Sequence, residues 1–215
     1  MSDCLENAKG AGLRQEMLER FRRDDPVAAQ TEWGPVSQGG ASFRTHVLVQ
    51  VSPSRVEFHP TGQGRLIPIL FLLAGLGALA FGAYGLVSDI GAGAFIILWL
   101  VVGCMFAGTG GAVYWFMTRR VAFDRQAGCF WKGGPTPKRF SVPDAEFGKN
   151  AVPFAEIHAI QLVSKLPSDY TSYEVNLVME DGSRVNVVDH GDLVRIRQDV
   201  ARLAQFLEVP IWDVG

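Results

Sequence analysis

The string Asp189-His190-Gly191-Asp192 holds the residue types best suited to chemistry, because adjacent Asp and His side chains can form an acid–base pair or bind a metal. A structural interpretation competes with this one, since a strand-to-helix turn uses a glycine and the next helix uses an aspartate as its N-cap. No serine or cysteine nucleophile motif and no second histidine at ligand spacing accompanies the string. We therefore favour the structural interpretation. A membrane-bound enzyme that uses Asp189, His190 and Asp192 remains as an alternative.

Glu156, His158 and Cys129 are weaker candidates for a site. Glu156 and His158 are two residues apart, so they share one face of a predicted strand and could share a cation. A structural zinc site takes four ligands, so a solvated strand face is the better interpretation. Cys129 has no evident activating base nearby in the sequence, and thiol reactivity depends on such neighbours. The sequence predicts no catalytic residue, no metal site and no cofactor.

Two uncharged apolar runs, at residues 66–87 and 90–117, occupy the middle of the chain and are separated by Ser88-Asp89. A membrane span needs about 20 apolar helical residues, so each run is long enough. Neither run contains Asp, Glu, Lys, Arg or His. Because such residues usually mark ion paths and proton relays, a transporter or channel is disfavoured. The runs predict a two-helix transmembrane hairpin.

The residues that flank the two runs predict the orientation of the hairpin. Basic residues precede the first run and follow the second, whereas the connection carries only Asp89. Positive charge near membrane ends stays on the cytoplasmic side, so both termini are expected in the cytoplasm. Two aromatic residues at the same end would lie at headgroup depth. The predicted anchoring residues are Arg65, Tyr114, Trp115, Arg119 and Arg120.

Small residues recur at every fourth position of both runs. In lipid, close packing of small residues supplies much of the attraction between helices. The predicted packing residues are Ala74, Ala78 and Gly82 in the first run, and Gly103, Ala107 and Gly111 in the second. The two grooves could face each other within the hairpin, or they could join two copies of the protein.

The composition agrees with a cytoplasmic setting for the remaining chain. A formal net charge of −2 argues against a nucleic-acid binder, which would normally show a basic face. Three cysteines without close spacing are expected of a reduced compartment. The first forty residues lack the features of a secretory signal peptide, so we expect the N-terminus not to be exported.

The polar parts of the chain predict strands on both sides of the membrane hairpin. Alternating apolar residues predict strands at 45–52, 55–60, 120–124, 129–132, 156–165, 172–180 and 183–188. Helices are predicted at 13–24 and after Asp192, where a stripe at spacings of three and four contains Leu193, Ile196, Val200, Leu203 and Leu207. Residues 133–153, rich in Pro and Gly, predict a long surface loop.

These elements predict an α+β membrane protein. The two strands before the hairpin are too few to be stable alone, so we expect them to pair with the later strands. Seven antiparallel strands and a C-terminal amphipathic helix would form a pleckstrin-homology-like (PH-like) barrel or sandwich, with the hairpin inserted after its second strand. The predicted parts are a short helix and loop at 1–40, the first two strands at 41–65, the transmembrane hairpin at 66–117, and the remaining strands and C-terminal helix at 118–215.

Several stretches also resemble a known group of proteins. GGASFRTHVLVQVSPSRVEFHP, FDRQAGCFWKG, EIHAIQLVSK, YEVNLVMEDGSRVNVVDHGD and the closing VPIWD resemble uncharacterised bacterial membrane proteins. The resemblance covers most of residues 39–213. It implies a two-span protein with a PH-like cytoplasmic module, and it implies no activity or catalytic residues.

From these features we expect a non-enzymatic inner-membrane protein whose PH-like module binds a protein or a lipid headgroup. A strand edge or the groove beside the C-terminal helix would be the docking place, since extended peptides can add to an exposed edge. One alternative is an immunity protein against a secretion-system toxin, and another is the enzyme described above. The expected partners are membrane lipids, a protein and, as an alternative, a second copy of the chain, but not nucleic acid.

Overall fold

The computed structural model describes residues 2–37, 40–88, 93–133, 151–165 and 170–215. The chain divides into two compact units. The β unit combines Met1–His59 with Arg120–Gly215, and the helical unit is Pro60–Arg119. The predicted connection at Asp89 and most of the predicted 133–153 loop lie outside the described residues.

The described residues form five α-helices and nine strands. In chain order these are α1 (Ser2–Asp24), α2 (Pro26–Gln30), β1 (His46–Ser52), β2 (Arg55–Pro60), α3 (Gly62–Ser88), α4 (Gly93–Met117), β3 (Val121–Asp124), β4 (Cys129–Lys132), β5 (Ala151–Pro153), β6 (Ile157–Lys165), β7 (Ser172–Met179), β8 (Arg184–His190), α5 (Leu193–Leu207) and β9 (Ile211–Val214). The mixed helix and sheet content and the two long apolar helices confirm the coarse prediction.

The strands form two open sheets, so the barrel form of the predicted barrel or sandwich is wrong. The first sheet has the order β1-β2-β3-β4-β5, and the second has the order β8-β7-β6-β9. Two strands were not predicted. β5 lies at the end of the predicted loop, and β9 is a four-residue strand that directly follows Pro210. β9 runs parallel to β6, whereas every strand was expected to be antiparallel.

The pairing of β2 with β3 joins chain from before and after the two apolar helices. The strands are antiparallel, with Val56 opposite Phe123 and Phe58 opposite Val121. All four side chains are buried on the inner face of the first sheet. Strands on both sides of the long insertion therefore belong to one sheet.

The main core of the β unit lies between the inner faces of both sheets and α5. Asp192 is the N-cap of α5, as predicted, and its carboxylate accepts a hydrogen bond from Arg195 N at 3.0 Å. Ile196, Val200 and Leu203 are buried in this core. The amphipathic stripe of the last helix was thus correctly predicted.

The helical unit consists of α3 and α4, which pack against each other. α3 begins at Gly62, before the apolar run, so Arg65 lies within its first turn. Both helices are long and apolar enough to cross a membrane. Only 22% and 17% of their most apolar windows are buried inside the structure.

Candidate functional site

A β-bulge determines the sheet faces of the two residues that looked most like an acid–base pair, Asp189 and His190. Along β8 the pairing with β7 shifts between Val175 and Asn176, so two successive valines of β8 both point to the core. The shift places Asp189 on the outer face of the second sheet and His190 on its inner face. Adjacent in sequence, these side chains therefore lie on opposite faces.

Both ring nitrogens of His190 are used by the backbone. Nε2 lies 3.2 Å from the carbonyl oxygen of His46, and Nδ1 accepts a hydrogen bond from Asp192 N at 2.9 Å. The ring is fully buried, and this burial lowers the pKa of His190. A neutral imidazole with Nε2 protonated fits these contacts. The structure therefore uses His190 and Asp192 in a turn and does not bring either of them to Asp189.

Asp189 belongs instead to an ionic cluster with Lys165 and Glu174. Lys165 Nζ lies 2.5 Å from Glu174 Oε2 and 2.9 Å from Asp189 Oδ1. Lys165 and Glu174 are almost completely buried. Ser37 Oγ lies 2.6 Å from Lys165 Nζ and donates to one of the carboxylates.

The Glu174 carboxylate of this ionic cluster is held in its charged form. Burial alone would raise the pKa of Glu174, but hydrogen bonds from Lys165 and from the amides of Val36 and Ser37 outweigh it and keep that pKa below its usual value. The cluster is therefore a buried network of ion pairs and hydrogen bonds that includes two residues of the segment around Ser37.

The ionic cluster anchors a segment that crosses the outer face of the second sheet. We call residues 25–37 the strap. Trp33 is buried on this face, with its ring centroid 5.5 Å from that of Trp212 and 5.7 Å from that of Phe21. Its indole nitrogen donates to Ala28 O at 3.1 Å. The strap and the sheet share an apolar cluster that is separate from the main core: Val27, Ala28, Trp33, Ala159, Val163, Val178, Trp212 and Val214.

Side chains of the second sheet bind the main chain of the strap. Gln161 Nε2 donates to Glu32 O at 3.1 Å, and Arg184 Nη1 donates to Gly34 O at 2.6 Å. The Glu174 carboxylate accepts from Val36 N at 2.7 Å and from Ser37 N at 3.0 Å. These four contacts are made to the main chain of the strap between Glu32 and Ser37, and they accompany side-chain contacts such as those of Trp33 and Ser37.

His158 holds the start of the strap. Its Nε2 lies 2.8 Å from Asp25 Oδ2, and its Nδ1 lies 3.1 Å from Glu180 Oε2. Burial would lower the pKa of His158, but the two carboxylates raise it above its usual value. Asp25 is also the N-cap of α2, where it accepts from Val27 N. The contact therefore ties the helical N-terminus to the sheet.

Glu156 does not share a strand face with His158, contrary to prediction. It lies in a 3₁₀ turn at Phe154–Glu156, and β6 begins only at Ile157. The partners of His158 come from α2 and from the end of β7 instead. Within the described ranges, no three His, Cys, Asp or Glu side chains are grouped to hold a metal ion.

Cys129 is a buried residue of β4, as predicted. It packs with Ala122, Ala127 and Trp131 on the outer face of the first sheet. Burial and the nearby Asp124 raise the pKa of Cys129 to about 11. A thiol in this state is protonated at neutral pH and is a poor nucleophile.

The contact between α3 and α4 is built on glycine. A Cβ on Gly75 would lie 2.2 Å from Ala107 N, and one on Gly110 would lie 2.5 Å from Leu72 N. Such distances leave no room for a methyl group, so the two backbones approach closely at these points. Three predicted packing residues are buried on these helices: Ala78, Gly82 and Gly103.

Two of the predicted packing positions lie off this contact. Ala74 is exposed, and a Cβ on Gly111 would meet nothing within 4 Å. The packing face therefore runs through Gly75 and Gly110, each one residue away from a predicted position.

The predicted anchoring residues form an aromatic and basic end of the helical unit. The Arg119 guanidinium lies over the Trp115 ring at 3.8 Å and over the Phe116 ring at 4.8 Å. Tyr114 is exposed, and its carbonyl oxygen accepts from the Thr118 hydroxyl. Arg65 and Arg120 are also exposed. Arg65 lies in the first turn of α3, and Arg120 begins the second segment of the β unit.

Neither a scan against protein-family models nor a search of curated proteins finds a match for this chain. The candidate site is therefore defined by geometry: the outer face of the second sheet with the strap bound to it. Sequence reasoning missed this site, although polar residues inside strongly apolar strands were a signal of it. Gln161, Glu174 and Asn176 interrupt apolar strands, and all three are fully buried.

Proposed function

We propose that this is a bacterial inner-membrane protein in which α3 and α4 span the bilayer and the β unit, a PH-like module, binds a partner protein on the cytoplasmic side. The pairing of β2 with β3 carries the proposal, because strands from both sides of the helical insertion can pair only if both lie on the same side of the membrane. Apolar side chains cover the exposed surfaces of α3 and α4, which supports insertion in lipid.

A protein partner fits the β unit better than a lipid headgroup does. The described part of the unit has a shallow groove of about 780 Å³ between the β1–β2 and β3–β4 turns. Its arginines are already engaged: Arg55 pairs with Glu57 at 2.5 Å, and Arg125 donates to Phe206 O at 2.6 Å. An anionic headgroup would have to compete with these contacts. The outer face of the second sheet, by contrast, already binds peptide groups.

Membrane insertion and sidedness can be tested by cysteine labelling. Single cysteines replace the exposed residues Leu13 and Val194 in a background with the native cysteines changed to serine. We expect a membrane-impermeant maleimide to label neither in intact spheroplasts and both in inverted vesicles. Labelling of either in intact spheroplasts, or release of the protein from membranes by alkaline carbonate, would contradict the proposal.

Partner binding can be tested by photo-crosslinking in cells. A photo-reactive amino acid is placed at the exposed Val36 or Val194 of the β unit, and at the exposed Leu86 of α3 as the matched control. We expect a discrete protein adduct from a β-unit position, and the same protein should copurify in fixed stoichiometry. Adducts with lipid alone at every position would refute a protein-binding role.

A further inference from the structure

We propose that the outer face of the second sheet is a binding site for an extended, aromatic-containing peptide segment of a partner protein, and that the strap occupies it as an intramolecular competitor. The inference rests on the proposed function, because it names the kind of partner and the device that controls its access. Three observations support it. Gln161, Arg184 and Glu174 contact the main chain of the strap, a buried oxygen of Asn176 lacks a donor among the described residues, and the strap packs in an apolar cluster separate from the main core.

The contacts with the strap are those that an extended peptide from another protein can reproduce. Gln161 and Arg184 donate to two carbonyl oxygens two residues apart, at Glu32 and Gly34, and Glu174 accepts from two successive amides. None of these contacts depends on the identity of a strap side chain. Selectivity would come from the aromatic position of Trp33, whose ring contacts both Phe21 and Trp212 in a cluster of three rings.

The strap leaves one buried polar atom of this face without a partner. Asn176 is fully buried on the outer face, where its Nδ2 donates to Gln161 Oε1 at 3.4 Å and its Oδ1 has no hydrogen-bond partner among the residues that the structure describes. A buried acceptor without a donor destabilises the state that contains it. A peptide that places a donor opposite Asn176 would gain a hydrogen bond that the strap does not make. The strap is therefore an imperfect occupant, as an intramolecular competitor needs to be.

The strap can leave without opening the main core. Its apolar cluster is separate from the core that α5 and the inner faces of both sheets enclose. The surface beneath the strap combines the apolar sheet residues of this cluster with polar side chains that water can solvate when the strap departs. The residues concerned are Gln161, Lys165, Glu174, Asn176 and Arg184.

The test uses the full chain in nanodiscs and a labelled peptide with the sequence of residues 26–37. We compare the wild-type protein with Trp33→Ala, which empties the aromatic position, and with Leu13→Ala on the exposed face of α1 as the matched control. Fluorescence anisotropy should show at least tenfold tighter binding of the peptide by Trp33→Ala than by the wild type or the control. The same peptide carrying alanine in place of Trp33 should not bind.

Hydrogen exchange provides a second measurement that does not depend on Trp33→Ala being folded. Excess peptide added to His158→Gln, in which the first anchor of the strap is weakened, should accelerate exchange at residues 26–37 of the protein. No peptide binding to folded Trp33→Ala, together with unchanged exchange in His158→Gln, would overturn the inference. If the wild-type protein is a dimer that excess peptide does not dissociate, the inference is overturned, and a second copy of the chain is the occupant of the outer face. The cysteine-labelling and photo-crosslinking results would stand in either case.

Discussion

Lys165 Nζ lies 2.5 Å from Glu174 Oε2 on the outer face of the second sheet, and neither side chain is more than marginally exposed to solvent. Glu174 also accepts the amides of Val36 and Ser37, so the same carboxylate neutralises a buried cation and holds the strap. The stability of the β unit and the position of the strap therefore depend on one pair.

Replacing Glu174 with Gln should strongly destabilise the β unit. The change removes one of the two carboxylates that pair with the buried Lys165 ammonium, and breaking a buried pair costs about 3 kcal/mol or more. Urea unfolding in detergent, followed by circular dichroism, measures the free energy of unfolding. Glu19→Gln on the exposed face of α1 is the matched control and should change it by less than about 0.5 kcal/mol. Equal stabilities of the two variants would show that the pair is dispensable.

The attachment of the strap should weaken as the pH rises. Since the pKa of His158 is raised in the folded protein, its contribution is fully present below the unfolded value of 6.5 and is lost as the pH rises through the folded pKa. Hydrogen exchange of residues 26–37, corrected for intrinsic rates, should therefore accelerate between pH 6 and pH 9. His158→Gln should show a flat profile, whereas the control His59→Gln, on β2, should behave as the wild type does. A wild-type profile without pH dependence would refute the assignment.

His190 should give the stability of the folded protein the opposite pH dependence. Burial lowers its pKa in the folded protein, so its contribution is present above pH 6.5 and is lost as the pH falls through the folded pKa. Thermal unfolding between pH 7 and pH 4.5 should show a smaller loss of stability for His190→Gln than for the wild type. Glutamine can replace both contacts of the ring, to His46 O and Asp192 N. The same variant tests the enzyme alternative, because a structural histidine replaced in this way should leave the biological function unchanged.

Two neighbouring glycines of α4 should respond differently to alanine. Gly110→Ala places a methyl group 2.5 Å from Leu72 N and must push α3 and α4 apart, which should cost about 1–3 kcal/mol. Gly111→Ala meets nothing within 4 Å and should be neutral or slightly stabilising in a helix. Thermal unfolding of the purified protein in one detergent compares the two variants. A larger loss of stability for Gly111→Ala than for Gly110→Ala would show that α3 contacts the other face of α4.

Residues 118–215 expressed alone should not fold cooperatively. The fragment keeps β3 but lacks β2, its partner, and with it the core residues Leu48, Val56 and Phe58. A broad urea transition and poor chemical-shift dispersion are the expected results. Coexpression with residues 40–60 should restore a cooperative transition, which distinguishes a missing strand from a generally unstable fragment. A sharp transition for the fragment alone would show that β2 is not required.

The parts of the fold that depend on local pattern were predictable. The α5 stripe and the Asp192 cap follow from spacings of three and four and from capping chemistry, both of which are visible in the sequence. β9 was missed because a four-residue strand parallel to β6 has no local signature, since its partner is distant in the chain.

The site depended on features that no local pattern reveals. Strict alternation along β8 predicts that His190 faces outward and Asp189 faces the core. The bulge reverses this, so Asp189 faces outward. Trp33 lies in a segment rich in Gly and Pro that was predicted to be a loop, and its burial requires the apolar patch around Trp212. Two of the six predicted packing positions, Ala74 and Gly111, were each one residue away from the glycines in contact, because several small residues share that stretch of each helix.

The placement of α3 and α4 between β2 and β3 has a consequence for biogenesis. The ribosome completes β2 before either helix exists, and β3 emerges only after both. In the membrane protein proposed above, this part of the first sheet could close only after both helices had been inserted in the bilayer. If only one helix crosses the bilayer, β2 and β3 are left on opposite sides and the β unit remains unfolded. Correct insertion would thus be a precondition for folding of the β unit. Incorrectly inserted copies of the protein would be degraded by quality-control proteases as unfolded chains.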